Sequence, residues 1–334
     1  MRIYCDGIFD LFHKGHRDHL LAIRRMFPSP HEIVVGVISD SIATEYKRRP
    51  MFNEMQRLRI LSLSAHVDEV FVTDQLVMDP EFLAAHRIDR VAHAFSNAEE
   101  RARQFVYFSD VIAKGVFIEL DYVGGFSTTK TINDNNLTWD DIWMQKGLDI
   151  PDGDKETLVT LGGWEHTEFD PAVFVETMSR ALSIKAGDSV LEVGCGAGLV
   201  ASHLRHCEYM GTDASSSLIA HHIRLFQNCA LTFRSSEVIF KDDSFDVAFL
   251  NGVVEYLPDL EDVAATITEL ERVAKRGVYV AYVRRCTHKH KLKKHIYKGT
   301  YTHLIVPEDF FVARGYTVEQ SSFGVNVYNA WKLF

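Results

Sequence analysis

Short apolar runs alternate with longer stretches of helical period along this 334-residue chain, and the alternation stops once and then restarts. The runs Ile3 to Cys5, Glu32 to Ile38, Glu69 to Val72, Arg90 to Ala94 and Val116 to Leu120 read as strands. Such spacing demands βαβ crossovers and a parallel sheet, because parallel neighbours need a connection long enough to hold a helix. From Asn133 to about Glu165 the rhythm gives way to polar, Gly/Asp-rich sequence (NDNNLTWDD, IPDGDKE, LGGWEH). It resumes with SVLEVG, EYMGTD, SFDVAFL and GVYVAYV and closes on YTVEQ and VNVYNAWKLF, joined by SSFG. The expected class is α/β with two domains, each a three-layer α/β/α sandwich. Residues 1–135 form the first, 136–164 a linker and 165–334 the second, whose last two strands pair as an antiparallel hairpin.

The five cysteines (Cys5, Cys195, Cys207, Cys229, Cys286) are scattered and free of any CxxC pair, which argues against a disulfide framework and a zinc site. No apolar run approaches the roughly 18 residues of a membrane span, and no leader pattern opens the chain, so a soluble cytoplasmic protein with no membrane partner is expected. A net charge of −10 speaks against binding nucleic acid over the whole surface. Between Arg272 and Pro307, however, stand ten Lys or Arg and no Asp or Glu. That segregation, centred on RRCTHKHKLKKHIYKGTYTH, suits a phosphorylated acceptor, with Lys289 and Lys291 as candidate contacts.

At FDLFHKGH the first strand should turn into the first helix. Gly15 lets backbone approach a ligand, the helix start attracts an anion, and His13 and His16 flank the spot as donors to a phosphate undergoing transfer. Ser127, Thr128 and Thr129 follow two glycines and read as hydroxyls at another helix start. The segments RIYCDGIFDLFHKGH, VVGVISD, KRRPMFNEMQR, HVDEV, PEFLAAHRID and GGFSTTK occur in the order of the cytidylyltransferases that make CDP-choline, CDP-ethanolamine and CDP-glycerol, a family that residues 2–132 resemble. The resemblance implies a Rossmann-like nucleotidyltransferase fold that binds CTP with Mg²⁺, holding no metal by its own side chains, with His13, His16 and Lys47 catalytic. Gly7, Ile8, Phe9, Asp10, Gly15, Arg57, His93, Ser127, Thr128 and Thr129 would contact the nucleotide. HVDEV lies where the relatives form a two-fold interface, which implies a homodimer. The chain departs from the family at Tyr122-Val123, where Arg-Thr is usual, and at Ala94-Phe95, where Asp-Asp follows the histidine. Arg101 and Arg103 are the candidates to supply the missing charge.

VLEVGCGAGLVASHL sets Gly194, Gly196 and Gly198 between a strand and a helix, and Asp213 ends the next strand, where a carboxylate can hold paired ribose hydroxyls. With Glu192 and FKDDSFDVAFLNGVVEYLPD, this pattern resembles the class I S-adenosylmethionine-dependent methyltransferases across about residues 165–334. The resemblance implies a second Rossmann-like domain with S-adenosylmethionine as cofactor. Glu192, Gly194, Cys195, Gly196, Gly198, Asp213, Ala214, Ser235, Ser236 and Asn251 would contact that cofactor, and Glu255 and Tyr256 the acceptor.

The expectation is therefore a bifunctional enzyme. CTP would cytidylylate a small phosphate- or phosphonate-bearing compound with release of pyrophosphate, and S-adenosylmethionine would methylate the same or a linked metabolite. The alternative keeps only the methyltransferase and makes the first domain a nucleotide-binding or dimerisation module.

Overall fold

The computed structural model describes all residues except 11, 13, 28–29, 47–49, 51, 96, 122–138, 151–153, 155, 166, 228, 236–238, 286–288, 292–299 and 325. The chain divides into two compact units, Met1–Thr128 with Ile239–Lys241, and Thr129–Val238 with Asp242–Phe334. No helix among the described residues is long and apolar enough to cross a membrane.

In the first unit the strands are β1 (Arg2–Gly7), β2 (Glu32–Ile38), β3 (Glu69–Thr73), β4 (Arg90–His93) and β5 (Phe117–Glu119). They form one sheet in the order β3-β2-β1-β4-β5, all parallel. Between them run α1 (Lys14–Met26), α2 (Asp40–Tyr46), α3 (Glu54–Leu63), α4 (Pro80–Ala85), α5 (Ala98–Gln104) and α6 (Ser109–Ala113). Because β2 and β3 are laid on one side of β1 and β4 and β5 on the other, right-handed crossovers send the helices to opposite faces. The reversal leaves a crevice at the carboxyl ends of β1 and β4, where open α/β sheets bind ligands. β2 is buried at six of seven positions, which is why it reads as a continuous apolar run. Helix α3 starts on a full capping box, Asn53 Oδ1 accepting from Gln56 N and Gln56 Oε1 accepting from Asn53 N.

The second unit opens with α7 (Trp139–Asp149), α8 (Leu158–Leu161) and α9 (Pro171–Leu182). Its strands are β6 (Ser189–Val193), β7 (Glu208–Asp213), β8 (Cys229–Thr232), β9 (Phe245–Asn251), β10 (Ala274–Arg284), β13 (Thr317–Gln320) and β14 (Val327–Leu333), and its further helices are α10 (Ser216–Phe226), α11 (Leu260–Val273) and α12 (Glu308–Val312). The sheet order is β13-β14-β10-β9-β6-β7-β8. Strands β6 to β10 are parallel, while β14 runs antiparallel to both β10 and β13. The closing pair is the hairpin expected from YTVEQ and VNVYNAWKLF. A separate two-stranded ribbon joins β11 (Lys289–Lys291) to β12 (Thr300–Thr302). The order reverses between β6 and β9, so this unit has its own crevice.

The stretch 136–164, expected as a linker, contributes α7 and α8 to the second unit. Its polar residues had hidden a packed face. Ser215 Oγ donates to Trp143 O at 3.1 Å and Ser217 Oγ to Met144 O at 2.6 Å, while His221 Nε2 meets Gly147 O at 2.9 Å. These bonds fix α7 against α10. At the crossing Gly147 is required, since a Cβ there would lie 2.3 Å from Ser217 Oγ.

Candidate functional sites

The first candidate site surrounds the turn after β1. Phe9 takes a left-handed conformation (φ 52°) there, a costly choice for an aromatic residue, and its ring covers Gly7. His16, in the first turn of α1, packs edge-on against Phe9 (5.3 Å between centroids) and beside Phe12 (5.5 Å). Asp10 Oδ1 accepts from Phe52 N at 3.1 Å, which anchors the turn to the segment leading into α3. At the end of β4, His93 Nδ1 lies 3.3 Å from Asp6 Oδ1 and its Nε2 3.3 Å from Gln104 Oε1, an arrangement that suits the doubly protonated ring. Burial pushes the imidazole pKa down, but the hydrogen bond and charge of Asp6 outweigh it, so the pKa is raised. With both nitrogens engaged by protein, His93 can offer a ligand positive charge rather than a hydrogen bond.

Arg57 is not placed as a nucleotide anchor. Its side chain is 0% exposed, Nε donates to Phe52 O at 3.0 Å, Nη1 to Ile8 O at 2.6 Å and to Ile38 O at 2.8 Å, and Nη2 to Asp40 Oδ1 at 2.6 Å. The guanidinium therefore ties the ends of β1 and β2 and shapes the turn beside them. Arg57→Met should lower the unfolding free energy of this unit by about 3 kcal/mol, because three carbonyl acceptors and the partly exposed Asp40 carboxylate lose their donor. Chemical denaturation checks it; an unchanged midpoint with a raised KM for CTP would return Arg57 to the nucleotide. Arg101 forms an exposed pair in which its Nε and Nη2 donate to the two Glu119 carboxylate oxygens at 2.7 and 2.9 Å. His13, Lys47, Ser127, Thr128, Thr129, Tyr122 and Val123 lie outside the described residues.

The second candidate site is a cavity of about 430 Å³ at the ends of β6 and β9. Glu192, Gly194, Cys195, Gly196, Asp213, Ala214, Ser235, Asn251, Glu255 and Tyr256 all line it, so one cavity gathers expected site residues from Glu192 through Tyr256. Gly198 stands just behind the wall, at φ 93°, where a Cβ would meet Phe226 at 2.8 Å and His222 Nδ1 at 3.0 Å. Asp213 closes the glycine turn, Oδ2 accepting from Gly196 N at 2.9 Å and Oδ1 from Ser215 N at 2.8 Å. Asn251 Oδ1 is buried with no hydrogen-bond partner. Ser236 lies outside the described residues, as do the side chains of Lys289 and Lys291.

Glu192 is 2% exposed and accepts from Tyr209 Oη at 2.6 Å. Burial raises its pKa to about 8, against the opposing hydrogen bond from Tyr209. A carboxyl whose folded pKa exceeds its unfolded value costs stability progressively as pH rises from the unfolded pKa to about 8, since only the unfolded chain ionises freely. Glu192→Gln should therefore stabilise the ligand-free protein by on the order of 1–3 kcal/mol at pH 8 and by far less at pH 5. Thermal melts of both proteins across that range test the sign; an equal effect at both pH values would contradict it.

Among the cavity's residues that escaped the sequence reading are Trp139 and Trp143, four apart on one face of α7, and Trp164. Arg284 escaped as well, because it stood in the basic stretch. Among the described residues, the cations at the start of that stretch are paired with acids. Arg272 pairs with Glu269 and Asp242, Lys275 with Asp246, Arg276 with Asp188, Arg284 with Glu255, and Arg285 with Glu308.

Known proteins agree with this division. Residues 4–132 match the cytidylyltransferase-like family and residues 191–282 a methyltransferase domain. Choline-phosphate cytidylyltransferase A of Rattus norvegicus is 36% identical over 132 residues, covering 40% of this chain and 35% of that protein. The choline-phosphate cytidylyltransferase of Saccharomyces cerevisiae is 42% identical over 93 residues, 28% of this chain and 22% of that protein. The chain thus spans about a third or less of these relatives' length. A solved S-adenosylmethionine-dependent methyltransferase from Methanosarcina mazei superposes with a TM-score of 0.39 at 14% identity, covering 47% of this chain and 96% of that one. The chain carries a cytidylyltransferase-like domain followed by a methyltransferase domain.

Proposed function

We propose that the protein is a bifunctional transferase whose first unit transfers CMP from CTP to a small phosphate- or phosphonate-bearing compound, releasing pyrophosphate, and whose second unit methylates that compound or its product. The observation that carries the reading is that each unit has its own ligand turn at the reversal point of its own sheet. In the first, His16 and Gly15 at the start of α1 take the transferring phosphate, Mg²⁺ arrives with CTP, and the raised His93 supplies charge, while the catalytic roles of His13 and Lys47 rest on the family resemblance alone.

In the second, the fit to S-adenosylmethionine rests on the cavity itself. The glycine turn admits no Cβ at Gly194, Asp213 stands ready for ribose hydroxyls, and the unpartnered Asn251 Oδ1 is an acceptor for an ammonium group. When bound, the sulfonium supplies an electrophilic methyl group. The protein's part is alignment and exclusion of water around it.

A homodimer through the first unit and a cytoplasmic setting belong to the same reading. The methyltransferase-only alternative draws support from Tyr122-Val123 and Ala94-Phe95, which stand where the resembled family carries Arg-Thr and Asp-Asp. The full-length protein is to be incubated with CTP, Mg²⁺ and a panel of phosphoalcohols and aminoalkyl phosphonates, with pyrophosphate release measured beside transfer of labelled methyl groups. Release dependent on one acceptor class supports two activities. Methyl transfer without any acceptor-dependent release establishes the alternative.

A further inference from the structure

The lining of the second cavity includes aromatic rings and an ion pair between a buried carboxylate and a part-buried guanidinium. Glu255, 2% exposed, accepts from Arg284 Nε, and both residues line the cavity. On one side the Tyr256 ring meets Trp139 at 4.8 Å and Trp143 at 5.3 Å between centroids. On the other the Tyr282 ring meets Trp164 at 4.7 Å, and the Arg284 guanidinium lies 5.7 Å from the Tyr282 centroid.

We propose that the methyl acceptor is a small zwitterion, an amine joined to a phosphate, phosphonate or carboxylate, whose nitrogen sits among these rings beside Glu255 and whose anion is taken by Arg284. The inference rests on the methyltransferase reading above and deepens it. Three physical points support it. Aromatic faces attract ammonium groups, and the attraction grows as the site is desolvated. Separating a buried ion pair is strongly unfavourable when either partner is left uncompensated. A zwitterion meets that condition, because it inserts between Glu255 and Arg284 and gives each a new partner of opposite sign, whereas a singly charged acceptor satisfies one and strands the other.

The chemistry balances without a further reagent. The acceptor ammonium gives one proton to a Glu255 carboxylate oxygen, and the freed nitrogen lone pair forms the N–C bond to the methyl carbon. The C–S bond breaks as this happens, and its electron pair stays on sulfur, which becomes the neutral thioether of S-adenosylhomocysteine. The positive charge moves from sulfur to the methylated nitrogen, where the rings still stabilise it. Burial, opposed by Arg284, raises the Glu255 pKa, which favours its taking up that proton.

All four tryptophans, the three named and Trp331, belong to the second unit, so tryptophan fluorescence reports on this unit even if the first also binds a phosphate compound. The full-length protein, saturated with S-adenosylhomocysteine, is titrated with phosphocholine, with tetramethylammonium and with inorganic phosphate. Phosphocholine is expected to bind on the order of 10-fold tighter than either single-charge probe. Glu255→Gln should weaken phosphocholine and tetramethylammonium, and Arg284→Gln should erase the advantage of phosphocholine over tetramethylammonium. Because each single variant strands a buried charge, the double variant Glu255→Gln/Arg284→Gln is measured as well; it should still bind S-adenosylhomocysteine by calorimetry and lose the preference for phosphocholine. Phosphate binding as tightly as phosphocholine, or a double variant with the preference intact, overturns the zwitterion. Failure of the wild-type protein to bind S-adenosylhomocysteine overturns the methyltransferase reading beneath it.

Discussion

Alanine in place of His16 is expected to cut acceptor-dependent release of pyrophosphate from CTP by about 10³-fold, the scale seen when a preorganised donor to a developing charge is removed. The position of the side chain suits that role. It stands one residue after Gly15 in the first turn of α1, where backbone N–H groups already favour an anion, and its ring is wedged against Phe9 and Phe12. The left-handed Phe9 places one wall of this wedge, a strain that a turn serving only as a connection would have no reason to keep. S-adenosylhomocysteine affinity should stay within about twofold, because the second cavity is built wholly from residues of the second unit. Pyrophosphate assays and calorimetry on the same preparation decide the matter. Unchanged release would remove His16 from the transfer, and loss of both properties would indicate unfolding of the chain.

The two sheets were legible because parallel strands are buried on both faces and leave short apolar runs at regular spacing, as in EIVVGVI and FDVAFLN. The glycine turns were legible for a related reason, since they follow those runs directly. What failed to show depended on partners distant in sequence. Arg57 looks like a ligand contact until the carbonyls of Ile8, Ile38 and Phe52 are seen converging on it, and nothing local announces them. Arg284 was absorbed into a basic stretch whose acids (Glu255, Asp188, Asp242, Asp246, Glu308) come from other elements. Trp139 and Trp143 did leave a signal, an i,i+4 pair in TWDDIW, but the surrounding Asn and Asp residues lowered the apparent helicity of the segment that carries them.

Gly194→Ala should weaken S-adenosylhomocysteine binding by on the order of 100-fold, through shape alone. Gly194 has φ 78°, and a Cβ added to it would lie 2.2 Å from Val253 Cγ2, a separation no real contact sustains. Either Val253 moves, which shifts the segment leading into Val254, Glu255 and Tyr256, or the turn after β6 moves away from it. The turn has little freedom to do so, because Gly194 N and Cys195 N both donate to Thr212 O, at 2.7 and 2.9 Å, and Gly196 N donates to Asp213. Displacement therefore spoils the backbone cradle and the placement of the Asp213 carboxylate together. Left-handed strain on its own is separable from this effect. Gly187, ahead of β6, has φ 86° with nothing within 4 Å of its would-be Cβ, so Gly187→Ala carries a comparable backbone penalty without the overlap. Calorimetry should show near-wild-type affinity for Gly187→Ala at a modestly reduced melting temperature. Equal losses of affinity in the two variants would mean that backbone strain, and not the space under Val253, is what the glycine turn protects.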